Sequence, residues 1–300
     1  MSLFTLGARL AADARRLSAT IKIPKEEAMR EIRRLAAHSL KLTPAQLAVR
    51  EREAPGRFDL SPYGIVFDRR LKGEPMMYIM GECGFRDHVF KVTPDVLIPR
   101  PETEELVEVA LRAAAPGGDF HILDAGTGSG CIAVSLALEL PHARVTGVDV
   151  SPGAVDVARE NAERLQATNV QFLVSDWYSA VKDRQFQLIV SNPPYIAELD
   201  GHLDALRFEP AGALVAGKDG LGALRAVIGG AAVHLVAGGT LVVEHGYDQQ
   251  TVVCELFTAA GFVSVEPVSD LSGNPRIVVG RLAATEQPAK PKRRKATVSA

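Results

Sequence analysis

Asn192-Pro193-Pro194-Tyr195 directly follows the apolar run Leu188-Ile189-Val190, at the carboxyl end of an expected strand. Asn192 offers a side-chain carbonyl, and a residue that precedes proline is pushed into extended backbone. Pro193 and Pro194 each carry a carbonyl but no N–H, so the stretch presents acceptors without donors. Tyr195 adds a flat face against which a planar group can lie. Two acceptors and a platform describe a socket for an –NH2 on an sp2 carbon. The nitrogen of such a group is a poor nucleophile, because its lone pair is delocalised. The amide rotation barrier, about 18–20 kcal/mol, measures how firmly that pair is held. Accepting both N–H hydrogens draws the nitrogen toward a localised lone pair of fixed direction. No residue of the tetrapeptide is a competent general base, so the socket needs a strong electrophile that is attacked before the proton leaves. A methyl sulfonium fits. The alternative is a tight turn, since Pro-Pro pairs punctuate loops.

A second group of residues favours the socket. His121-Ile122-Leu123-Asp124 reads as a short buried strand, followed by Ala125-Gly126-Thr127-Gly128-Ser129-Gly130 and an apolar helix from Cys131 to Leu140, closed by Pro141. Strand, glycine loop and helix bring a ligand against bare backbone at a helix N-terminus. The spacing is G-x-G-x-G, whereas a pyrophosphate loop wants G-x-G-x-x-G, whose last place here is Cys131. The mismatch points to a ligand without phosphates. A second strand, Arg144 to Val148, ends at Asp149, where a carboxylate can accept both hydroxyls of a ribose. A third, Val170 to Val174, leads into Ser175-Asp176-Trp177-Tyr178. A lone tryptophan is often core filler, but Trp177 falls on the same rim as Asp149, which favours contact with an adenine ring. Ligands of open α/β sheets bind outside the carboxyl ends of the strands, and all four signals sit there.

From Asp124 through Trp177 to Tyr195 the chain resembles the class I S-adenosylmethionine-dependent methyltransferases that modify amino groups. Within them it is similar to the protein-glutamine N5-methyltransferases that act on peptide chain release factors, the HemK/PrmC family. Three further stretches carry the likeness: Leu97-Ile-Pro-Arg-Pro-Glu-Thr-Glu104, Arg207-Phe-Glu-Pro210 and Asn274-Pro-Arg276-Ile-Val. It covers roughly residues 10 to 282. DNA amino-methyltransferases that share the tetrapeptide are not expected to carry the Ile98–Glu104 stretch. Ribosomal-protein-modifying relatives typically have serine where this chain has Pro101. The resemblance implies an α/β fold: a Rossmann-like seven-stranded class I methyltransferase domain, a small N-terminal helical domain and a connecting β-hairpin. It implies S-adenosyl-L-methionine as cofactor, held by Asp124, Gly126, Thr127, Gly128, Ser129, Gly130, Asp149, Trp177 and Asn192. It also implies a substrate glutamine, in the Gly-Gly-Gln loop of a release factor, at Asn192, Pro193, Pro194 and Tyr195, with Asn192, Pro193 and Tyr195 as the catalytic residues.

The elements that must position these residues fall into three parts. Residues 1–82 read as helical, with segments near 3–19, 24–40, 43–52 and 60–72. Ile32, Leu35, Leu40 and Leu47 recur at helical intervals, and Pro24, Pro44 and Pro62 stand near segment starts, where proline is tolerated. Residues 83–283 begin with a hairpin-like stretch from Gly84 to Ile98, with Val89–Val92 as its clearest strand. Glu102, Glu104 and Glu105 fall in the first turn of the next helix and complement its dipole. Beyond about 118, alternating strands and helices imply a parallel sheet with right-handed crossovers. Thr240–Glu244 and Arg276–Arg281, with Val263–Val268, would finish it as the antiparallel hairpin of the family it resembles does. Residues 284–300 contain Lys290-Pro-Lys-Arg-Arg-Lys295 with no apolar period, which reads as a disordered basic tail, with a weak RNA contact as the alternative to a purely solvated one. His245, at a strand end, reads as structural, because the chemistry needs no strong base.

Composition excludes more than it decides. Hydrophobic residues make up 47% of 300, ample for a core. A net charge of −2 provides no global field for phosphates, so DNA is not an expected partner. Cys83, Cys131 and Cys254 have no metal or redox spacing, which suits a reducing cytoplasm. No apolar stretch is long enough for a bilayer. A ribosomal-protein glutamine N5-methyltransferase, a DNA adenine-N6 methyltransferase and a binding protein that retains the cofactor fold without turnover stay open as rivals.

Overall fold

Apolar side chains at helical spacing gather the first helices around a core of their own. The computed structural model describes residues 5–57, 59–114 and 119–284. α1 (Leu6–Ile21), α2 (Lys25–Ser39), α3 (Pro44–Arg50) and α4 (Ser61–Leu71) bury Leu10, Leu17, Ile32, Tyr63 and Phe67 against one another. Thr5 caps α1, and Thr43 with Gln46 forms a capping box on α3, so orphan N–H groups are satisfied where the chain turns. A fifth helix, α5 (Met76–Met80), was not expected. It spans little more than one turn between Pro75 and Gly81, too short for a periodic signature. The hairpin is shorter than its sequence suggests, with β1 (Glu82–Phe85) pairing antiparallel to β2 (His88–Lys91). The basic tail lies outside the described residues, save residue 284.

The rest is a sheet covered on both faces. In chain order it comprises α6 (Glu102–Ala113), β3 (Phe120–Ala125), α7 (Cys131–Glu139), β4 (Ala143–Asp149), α8 (Pro152–Arg164), β5 (Val170–Val174), β6 (Phe186–Ser191), α9 (Gly222–His234), β7 (Leu235–Glu244), α10 (Gln250–Ala259), β8 (Phe262–Ser269) and β9 (Pro275–Leu282). The seven strands run β5-β4-β3-β6-β7-β9-β8. The first five are parallel, and β9 lies antiparallel between β7 and β8. β7 begins at Leu235, five residues before the expected Thr240. Its pairing with β6 shifts register across Gly238 and Gly239, an irregularity that broke the alternating pattern.

Two cores result, one on each face. Leu106, Ile122, Val134, Val145 and Phe172 belong to one, and Leu123, Ile189, Leu224, Val243 and Phe257 to the other. Neighbouring residues of β3 (Ile122, Leu123) face opposite ways, as a doubly covered strand requires. After β3 the chain turns toward β4 and β5, and after β6 it turns the other way. The loops after β3 and β6 therefore flank a crevice at the point where strand order reverses, the place where such sheets bind ligands.

Candidate active site

Bare backbone builds the first wall of that crevice. Gly126 and Thr127 donate their N–H groups to Val148 O at 2.9 and 2.8 Å, and Gly130 donates to Thr127 O at 2.8 Å. Gly128 donates to Asp149 Oδ2 at 2.9 Å, while Asp149 Oδ1 accepts from Ser151 N at 2.9 Å. Four loop amides are thus taken up inside the protein, which leaves little to cradle a phosphate. Gly126 has φ +81°, and a Cβ there would stand 3.4 Å from the Trp177 ring, so loop and indole meet closely. Trp177 is itself left-handed at φ 45°, uncommon for a bulky residue. Ser175 holds that turn, donating to Trp177 O at 2.8 Å and accepting from Ala180 N at 3.0 Å.

The wall encloses a cavity of ≈ 220 Å³ lined by Gly126, Thr127, Gly128, Ser129, Asp149 and Trp177, with Thr103, Asn192 and Pro194 at its other side. Asp95 and Asp176 also reach it, with Arg100 as its one basic side chain among the described residues. Beneath the loop Asp124 is fully buried. Its Oδ2 accepts from Thr127 Oγ1 at 2.6 Å and Ala133 N at 3.2 Å, and its Oδ1 has no partner among the described residues. Burial pushes the Asp124 carboxyl up to about 7, against the pull of Thr127 and Ala133. A cavity framed by carboxylates favours a cationic ligand over an anionic one. A sulfonium nucleoside fits this donor set: a carboxylate at Asp149 with lone pairs left for hydroxyls, a ring face at Trp177 and no phosphate cradle.

Side chains build the second wall. Asn192 follows β6 and is half-buried; Pro193 is buried. Ser191 ties the end of β6 to the start of the glycine loop by donating to Ala125 O. Asn192 Nδ2 donates to Thr103 Oγ1 at 3.1 Å, and Thr103 Oγ1 donates to Glu244 Oε2 at 2.9 Å. Gln249 Nε2 donates to Tyr195 O at 3.0 Å. Burial, and then the charge of Glu244, pushes the Tyr195 phenol up to about 12, so it stays neutral. A second cavity, ≈ 300 Å³, is lined by Asn192, Pro193, Pro194, Tyr195, Leu206 and Leu214, among others. Leu97, Arg100, Asn192, Pro194 and Ala213 line both cavities. The two spaces therefore meet at the tetrapeptide.

Not every residue singled out from sequence lies where ligands would. Gly126, Thr127, Gly128, Ser129, Asp149 and Trp177 line the first cavity; Pro193 and Tyr195 line only the second. Asp124 and Gly130 line neither. Asp124 supports the loop from below, and a Cβ on Gly130 would stand 3.0 Å from Ala158 Cβ, so that glycine lets α8 approach. His245 is buried away from both cavities, donates from Nδ1 to Gly246 O at 2.7 Å, and is held neutral by burial.

Comparison with known proteins agrees with this geometry. Residues 14–81 match the PrmC N-terminal domain family, and residues 104–208 match the methyltransferase small domain family. The release factor glutamine methyltransferase of Burkholderia pseudomallei is 46% identical over 260 residues, 84% of this chain and 91% of that protein. That of Bordetella pertussis is 46% identical over 256 residues, 84% and 94%. The chain belongs to the release factor glutamine methyltransferase family. A solved methyltransferase structure from Pyrococcus furiosus, 20% identical, matches with a TM-score of 0.50 over 65% of this chain and 88% of its own, a likeness of fold. S-adenosyl-L-methionine is the cofactor of this methyltransferase family.

Several residues of this family member do more than sequence alone assigned to them. Arg100 pairs with the buried Glu209 at 2.5 Å, and Glu209 also accepts from Ile98 N at 3.2 Å, which joins the Leu97–Glu104 and Arg207–Pro210 stretches at the cavity rim. Glu104 accepts from Arg86 N at 2.9 Å and so clamps the hairpin turn, beyond any effect on the helix dipole. Thr103 and Glu244 were overlooked because their partners lie far along the chain. Thr103 was visible only within the Leu97–Glu104 stretch, and Glu244 only as the end of an expected strand.

Proposed function

We propose that this chain transfers the methyl group of S-adenosyl-L-methionine to the side-chain amide nitrogen (N5) of a glutamine in the Gly-Gly-Gln loop of a peptide chain release factor. One observation carries the reading: a cavity lined by the glycine loop, Asp149 and Trp177 meets a second cavity at a lip, Asn192 to Tyr195, whose two prolines lack N–H donors. Membership of the family named for that activity supports it.

When bound, S-adenosyl-L-methionine supplies an electrophilic methyl on a sulfonium. Asp149 would hold its ribose hydroxyls, Trp177 would border its adenine, and the Gly126–Ser129 backbone would face its methionine part. On the other side, Asn192 Oδ1 and the Pro193 carbonyl accept the two N–H hydrogens of the carboxamide, and Tyr195 supports its plane. Fixing that nitrogen in line with the methyl supplies roughly 7–11 kcal/mol of the barrier reduction through positioning alone. A glutamate in the same place cannot donate to these acceptors, a mismatch that discriminates by roughly 10⁴-fold or more. No general base is required, because the proton leaves after the nitrogen has become cationic. In this reading residues 1–82 and the hairpin grip the protein substrate, residues 83–283 carry the chemistry, and the enzyme works in the cytoplasm. No described helix is long and apolar enough to cross a membrane.

The test is incubation of the full chain with methyl-labelled cofactor and either a purified release factor or DNA, followed by mass spectrometry of the glutamine peptide. Label on the Gly-Gly-Gln glutamine is expected. Label confined to DNA, or cofactor binding with no transfer to either, overturns the proposal.

A further inference from the structure

The direction in which the Asn192 carboxamide points decides whether the acceptor socket works. If its oxygen faces the second cavity, it accepts an N–H from the substrate. Turned over, it places a donor against a donor. An asparagine side chain has no intrinsic preference between these two states, so something else must choose.

We propose that Thr103 and Glu244 are positioning residues that fix this choice, with the negative charge of Glu244 setting the direction of the whole chain. The proposal rests on the reading above, in which Asn192 meets the substrate –NH2. Three elements distant in sequence converge here: Asn192 after β6, Thr103 in the first turn of α6, and Glu244 at the end of β7. Asn192 Nδ2 to Thr103 Oγ1 is 3.1 Å and Thr103 Oγ1 to Glu244 Oε2 is 2.9 Å. Thr103 is 2% exposed and Glu244 1%, so bulk water does not substitute for either partner. An ionised carboxylate only accepts. The Thr103 hydrogen is therefore committed to Glu244, its lone pair faces Asn192, and only the NH2 end of Asn192 satisfies it. Asn192 Oδ1 is left for the substrate. A neutral Glu244 breaks this logic: its O–H can donate to Thr103, the hydroxyl can turn, and Asn192 can present either end.

The groups around Glu244 bear on its charge. Burial raises its carboxyl to about 7; Thr103, Arg276 and Tyr195 favour the ionised form, and Glu102 opposes it. His245, next in the chain, is held neutral by burial. The working form is the ionised one, so order at Asn192 increases as pH rises through about 7 and decays below it.

The experiment uses the full chain and three variants. Thr103→Val removes the hydroxyl at nearly constant shape, Thr103→Ser restores it, and Glu244→Gln removes the charge. With release factor as substrate, Thr103→Val is expected to lower kcat about 10–100-fold, the size of a small misplacement at the reacting atoms, with cofactor affinity within a few-fold. Thr103→Ser should recover most of the loss. Glu244→Gln should lower kcat and abolish the fall of activity below about pH 7. A readout independent of turnover is the pair of Asn192 side-chain NH2 resonances in the ¹⁵N–¹H spectrum. They should shift with a midpoint near 7 in the parent chain and stay still in Glu244→Gln. Resonances that do not titrate, an unchanged kcat in Thr103→Val, or equal losses in the Val and Ser variants overturn the proposal. If methyl goes to DNA instead, the functional reading fails while the spectrum still judges the positioning pair.

Discussion

The two walls of the crevice are built by different means. On the cofactor wall the bonds are local: Gly128 reaches Asp149 across 21 positions, and Thr127 reaches Asp124 across three. On the acceptor wall Asn192 reaches Thr103 across 89 positions, Thr103 reaches Glu244 across 141, and Arg100 reaches Glu209 across 109. The first wall takes its shape from one strand-loop-helix unit and its neighbour. The second exists only when α6, β6 and β7 have packed. Damage to the first wall should therefore register in cofactor affinity, and damage to the second in the rate of transfer.

The sharpest way to break this division is Asn192→Ala. Loss of an oriented acceptor at the reacting group should lower kcat by about 10³-fold, the upper range for removing one group that stabilises developing charge. Cofactor affinity by calorimetry should remain within a few-fold. A collapse of cofactor binding in that variant would make Asn192 part of the first wall.

Asp149→Ala tests the other side. It removes the proposed ribose acceptor and frees the Gly128 and Ser151 amides, which the carboxylate now holds. Hydrogen bonds to a charged group contribute about 1.5–3 kcal/mol each, so cofactor Kd should rise on the order of 10²-fold. The kcat at saturating cofactor should change far less. Trp177→Ala should have a smaller effect, about 1–3 kcal/mol by analogy with base–aromatic stacking, read as weaker cofactor binding. An unchanged affinity would show that the indole merely fills space behind Gly126.

The same contrast explains what could be read from the amino-acid order. Asp124 to Gly130, the helix from Cys131 and the strand ending at Asp149 were legible, because strand, turn and helix signals act over a few residues. Asn192 to Tyr195 was legible for the same reason: two prolines fix backbone and donors locally. The role of Thr103 was not, although the residue lies in the Leu97–Glu104 stretch, since a threonine in a first turn is an ordinary helix residue until the fold brings Glu244 beneath it. Glu209 was visible only within a motif, and its bonds to Ile98 and Arg100 require tertiary closure. Asp124 shows a subtler limit. The family resemblance implied ligand contact for it, but burial at 0% exposure follows from the loop folding over it, which no local pattern encodes.

Asp124 also supports the smallest expected effect, one that separates stability from chemistry. Its carboxyl is raised to about 7 by burial, while an unfolded chain titrates near 3.9. Between those values the folded protein binds more protons than the unfolded one, so stability falls as pH rises from about 4 to about 7 and then levels off. Glu244 is raised to a similar value and adds to the same window. Asp124→Asn removes one of the two contributions, and its melting temperature should decline less steeply across that window than the parent's. Each kcal/mol of difference corresponds to roughly 2–4 °C in a domain of this size. Glu244→Gln should flatten the stability curve in the same direction, yet it alone should also flatten the acid side of the kcat profile. Thermal melts and rates collected together across the window would thus assign one buried carboxyl to holding the glycine loop and the other to aiming Asn192. Equal effects of both variants on the rate profile would erase the distinction between the walls.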